Sequence, residues 1–60
     1  MKKVKMSLRG IDGNAFVILG TFRRKAKDQG WSDDEINAVT DEAKKSDYQH
    51  LVGTILDNIK

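Results

Sequence analysis

The sequence predicts an α+β fold, mostly α, in which one strand is followed by three helices (β-α-α-α). Three observations predict it. Residues 3–9 alternate between apolar and polar side chains, residues 31–36 carry a full helix-start signal, and two further stretches repeat apolar residues at helical spacing. The 60 residues form one small domain, with a strand over about 3–9 and helices over about 13–29, 33–45 and 47–59.

The strand comes first. Val4, Met6 and Leu8 share one face and Lys3, Lys5, Ser7 and Arg9 the other, the pattern of a half-buried strand with a charged outer side. Gly10 ends it and Ile11 leads into the next element. No second segment has strand character, and a lone strand leaves its backbone groups unpaired. The expectation is therefore that residues 3–9 pair with the same segment of a second copy. The alternative is a frayed N-terminus packed on the helices.

The first helix is the element around which the chain is organised. Asp12 is a candidate N-cap and Gly13 a turn residue. At 100° per residue, Ala15, Ile18, Leu19, Phe22 and Ala26 fall in one core-facing arc. Phe16 lies outside that arc, on a side shared with Gly20, Arg23 and Lys27. Gly30 fits the position just past the helix end, where the cations Arg23, Arg24, Lys25 and Lys27 suit the dipole.

The second helix has the sharpest local signal. With Ser32 as N-cap, Glu35 completes a capping box, and Trp31 and Ile36 occupy the two positions of a hydrophobic staple. Ile36, Val39 and Ala43 face inward. The third helix repeats the logic, with Ser46 or Asp47 as N-cap. Tyr48, Leu51, Val52, Ile55, Leu56 and Ile59 make a broad apolar face, and Gly53 interrupts good helix formers.

Composition narrows the chemistry. There is no cysteine, so neither a disulfide nor a thiolate metal site is available. The single histidine, His50, lies on the polar side of the third helix, without a second ligand or a placed nucleophile. The acidic run at residues 33–35 is explained by capping and has no calcium-loop spacing. The glycines form no phosphate-binding motif. The expectation is a non-enzyme with no catalytic residue, metal or cofactor. The longest apolar run, Ala15 to Leu19, cannot cross a bilayer, and no signal peptide is evident, so a cytoplasmic protein is expected.

Charge is divided along the chain. Residues 1–30 hold eight cations against two anions, and residues 31–60 hold three against seven. Such a split fits a basic face for a polyanion, or opposite surfaces that meet across subunits. The candidate ligand or partner residues are Phe16, Arg23, Arg24 and Lys27, with Lys3, Lys5 and Arg9 from the strand. The candidate oligomer interface is Val4, Met6, Leu8, Phe16, Gly20 and Leu56.

The residues Asp12-Gly13-Asn14-Ala15-Phe16, Gly30-Trp31, Glu35-Ile36 and Asp47-Tyr48 with Leu51 resemble a group of short phage, prophage and plasmid proteins. That resemblance implies a small protein of a mobile element in the host cytoplasm, acting by binding, and it carries over no functional residue. The functional expectation is a homo-oligomer, dimeric or a larger even assembly, that works by occupancy. It would be a counter-defence factor that blocks a host protein or sequesters an anionic, nucleotide-type signal. The main alternative is a nucleic-acid-binding accessory protein using the basic strand and the end of the first helix. A third reading is a virion assembly factor.

Overall fold

A computed structural model describes residues 2–60. Three helices follow one another: α1 (Ala15–Asp28), α2 (Asp33–Ala43) and α3 (Tyr48–Asp57). Their inner faces close on one core, in which Phe22, Ala26, Ala43 and Ile55 are fully buried beside Ile18, Ile36 and Leu51. Phe22 meets Trp31 edge-to-face, with ring centroids 5.6 Å apart and an interplanar angle of 86°.

The local chemistry of the helix ends accounts for their positions. Asn14, not Asp12, is the N-cap of α1 and its Oδ1 accepts from the Phe16 amide at 2.8 Å. Asp12 stands two residues earlier and accepts from the Asn14 amide at 2.8 Å. At the other end, Gly30 takes φ +90°, and its amide donates to the Lys27 carbonyl at 3.1 Å while the Trp31 amide donates to the Ala26 carbonyl at 3.0 Å. This is the paired-bond ending that favours glycine in the left-handed region. Two residues later the capping box of α2 is complete: the Glu35 amide donates to Ser32 Oγ at 3.1 Å and the Ser32 amide to Glu35 Oε1 at 2.8 Å. Asp47 caps α3 by accepting from the His50 amide at 2.9 Å.

The N-terminal segment overturns the expected fold class. Among the described residues there is no β-strand, so the fold is three helices and not β-α-α-α. One isolated parallel bridge joins Val4 to Ile59. The Val4 amide donates to the Asn58 carbonyl at 2.8 Å, the Lys60 amide to the Val4 carbonyl at 2.9 Å, and the Met6 amide to the Lys60 carbonyl at 3.3 Å. On the opposite edge, the Gln29 side chain accepts from the Lys5 amide at 2.8 Å and donates to the Lys5 carbonyl at 3.0 Å. A glutamine amide thus stands in for a neighbouring strand. With both edges of residues 4–6 engaged inside the chain, pairing with a second copy through this segment is removed as well.

The alternation itself has a physical reason. Val4 is fully buried, Met6 and Leu8 are partly buried against the core, and Lys3, Lys5, Ser7 and Arg9 are exposed or nearly so. Any extended segment lying on a core shows that period, whether or not a sheet exists. Gly10, at φ +78°, turns the chain toward α1.

Candidate functional site

At one end of the molecule, the start of α1, the end of α2 and the start of α3 come together without closing. They leave an open groove of about 300 Å³. Ala15, Phe16 and Leu19 form one wall, Ala43 its end, and Tyr48 and Leu51 the other wall; Lys44, Ser46 and Asp47 complete the lining. Each side chain is placed by the caps just described. Asn14 sets the first turn of α1, which puts Phe16 beside the opening. Asp47 sets the first turn of α3, which does the same for Tyr48.

Tyr48 is fixed at its far end, where its hydroxyl donates to the Gly13 carbonyl at 2.5 Å. This ties the start of α3 to the entry of α1. The Phe16 ring is 85% exposed and Tyr48 50% exposed. A phenylalanine so far out of the core, beside an unfilled apolar depression, has no role in the packing of a single copy.

The sequence-predicted constellation is dispersed. Arg23 turns to α2, donating from Nη1 to Asn37 Oδ1 at 3.2 Å and to the buried Thr40 Oγ1 at 3.3 Å. Lys27 pairs with Asp33 at the start of α2. Both cations are therefore engaged away from Phe16, and the structure does not assemble Phe16, Arg23 and Lys27 around an anion. Lys3, Lys5, Arg9 and Arg24 are well exposed and form no ion pair among the described residues. Of the residues assigned to an oligomer interface, Val4 lies in the core and Met6 and Leu8 lean on it. Gly20 and Leu56 are exposed but lie outside the groove. Phe16 alone belongs to it. Tyr48 and Asp47 carried only structural readings in the sequence, because the groove depends on how three helix ends converge.

Two other clusters have structural explanations. Lys2 pairs with Glu35 at 3.0 Å and sits 5.5 Å from the Trp31 ring centroid, fastening the N-terminal segment over the α1–α2 turn. His50 Nε2 lies 2.9 Å from the Glu42 carbonyl oxygen, 3.0 Å from Glu42 Oε2 and 3.4 Å from Thr54 Oγ1, and so joins α3 to the end of α2. Among the described residues no group of three histidine or acidic side chains is placed to hold a metal ion.

The shifted carboxyls belong to these fastenings. The Lys27 ammonium holds Asp33 below the ordinary aspartate range. The Ser32 amide, with help from Lys2, does the same for Glu35. Lys45 and then His50 lower Glu42. None of the three lines the groove. No described helix is long and apolar enough to cross a membrane. No protein-family model matches the chain, and neither does any curated protein or solved structure.

Proposed function

We propose that this chain is a small non-enzymatic binding protein that acts by occupancy, and that the Phe16–Tyr48 groove is its working surface. The single observation that carries this reading is the exposure of Phe16, 85%, at the lip of an apolar depression of about 300 Å³. Specific interfaces concentrate their energy in aromatic anchors that fill pockets. Here the anchor and the pocket adjoin. The biological setting of this reading is a counter-defence role, in which the assembled protein occupies a host factor. The capture of a nucleotide-type signal is the weaker version, since Arg23 and Lys27 are engaged with α2.

Photo-crosslinking tests the reading. A photoreactive phenylalanine analogue at position 16, in cells that make the protein, is expected to give discrete protein adducts. The same analogue at exposed Asp34, on the first turn of α2, is expected to give none. Equal labelling from the two positions, or none from either, refutes the groove as a working surface.

A further inference from the structure

The groove has a knob and a hole on the same chain, side by side. Phe16 is the knob, and the depression between Leu19 and Leu51 is the hole. A twofold interface needs a surface that is complementary to itself, so that each contact occurs twice. An aromatic side chain next to a pocket meets that requirement, because rotation of a second copy brings its Phe16 over the first copy's pocket.

The charges at the rim make the same demand. Lys44 and Asp47 both line the groove, and neither forms an ion pair among the described residues. Asp47 uses Oδ1 to accept from the His50 amide, which leaves its charge uncompensated by any lysine or arginine. A uniformly acidic or basic partner would be attracted by one of these groups and repelled by the other. A second copy brings one Asp47 for each Lys44 and one Lys44 for each Asp47, so an inverted arrangement can match both.

We propose that the occupant of this groove is a second copy of the same chain, docked across a twofold axis so that Phe16 of each copy enters the groove of the other. The proposal rests on the groove being the working surface, and it names the partner. It also replaces the strand pairing that Val4, Lys5 and Met6 rule out. Two copies of Phe16 and Tyr48 cover on the order of 500 Å² of aromatic surface. With the rim added, the contact falls at the small end of specific interfaces, that of a dimer that dissociates on dilution.

Sedimentation velocity over a wide concentration range, on the full chain, is the test. The wild type is expected to pass from monomer to dimer as concentration rises. Phe16→Asp is expected to weaken dimerisation at least about thirtyfold, as loss of a central aromatic anchor does. Because Phe16 is exposed, the variant is expected to keep its helical circular dichroism and, at dilutions where both chains are monomeric, its melting temperature. Lys44→Glu sets like charges opposite Asp47, so its dimer is expected to be weaker and to regain strength on added salt, whereas salt weakens the wild-type dimer. A wild type that stays monomeric throughout overturns the proposal, as does a dimer indifferent to Phe16→Asp. The crosslinking experiment separates the two failures. Adducts from position 16 to a different protein alone leave the working surface standing and exclude the second copy, whereas no adducts refute both.

Discussion

Trp31 has two structural roles, and they explain the short connection between α1 and α2. Its amide closes the end of α1 on the Ala26 carbonyl, while its ring lies at the staple position of α2 and against Phe22. One residue later, Ser32 and Glu35 exchange their two hydrogen bonds. The glycine ending, the staple position and the capping box were legible in the sequence, because each joins residues at most five apart and depends on residue type and spacing alone; the Phe22 contact, nine residues back, was not. The partners of Arg23 and Lys27 were not legible. Asn37, Thr40 and Asp33 reach them only because α2 folds back along α1, and side-chain spacing on α1 alone carries no information about that. The same residues set a pH response. Asp33, Glu35 and Glu42 all have folded-state pKa values below their ordinary 3.8 and 4.5. A lowered folded pKa means that the unfolded chain binds protons first, so the stabilisation is whole above the unfolded value and lost as pH falls through the folded one. Urea midpoints are thus expected to be flat from neutrality to about pH 5 and to fall below about pH 4. Glu35→Gln, which can keep the box geometry but carries no charge to titrate, is expected to flatten that acid limb. An unchanged limb would remove Glu35 from the explanation.

At the scale of elements, the helices contain two positions where packing gives no reason for the residue present. Gly20 and Gly53 lie inside α1 and α3, and a methyl group at either would meet nothing within 4 Å. Alanine at each is expected to raise stability by about 0.5–1 kcal/mol, since glycine gives up more backbone freedom on folding. Gly30→Ala is expected to act in the opposite direction, because φ +90° strains any L side chain. Thermal melts of the three variants check this, and a gain from Gly30→Ala would contradict the account of the α1 ending. The N-terminal segment shows where element-level reading stops. Alternation from Lys3 to Arg9 correctly marked which side chains face inward, since Val4 is buried and Met6 and Leu8 rest on the core. It held no information about the backbone's partner. The partners came from 24 residues away, in Gln29, and from the far end of the chain, in Asn58 and Lys60. An amide side chain that imitates a strand has no period to detect.

For the whole molecule, the main constraint is size. Sixty residues with no cysteine sit near the lower limit at which one core supports folding, and this chain turns most of the large apolar side chains of its three helices and N-terminal segment toward it. Phe16, Tyr48 and Leu56 are the large exceptions, along with the smaller Val17. Amphipathic spacing could place Phe16 off the core-facing arc of α1, and it did. It could not show that the ends of α1, α2 and α3 leave a depression beside that ring, since the groove exists only after the three elements pack. The basic half of the chain illustrates the same limit: three of its eight cations, Lys2, Arg23 and Lys27, are engaged within the fold, on Glu35, Asn37 with Thr40, and Asp33.

The bridge between Val4 and Ile59 is parallel, and that orientation has a mechanical consequence. Force applied at residues 2 and 60 pulls the two segments past each other along their length. The three backbone bonds at Val4 and Met6 then carry load together, in shear. Force applied at residues 10 and 60 instead peels the tail away from Lys60 inward, and the bonds break one after another. Single-molecule pulling with attachments at these two pairs of positions is expected to give a higher rupture force for the first. Equal forces would mean that the joined ends bear none of the load, and that the three helices alone hold the molecule against stretching.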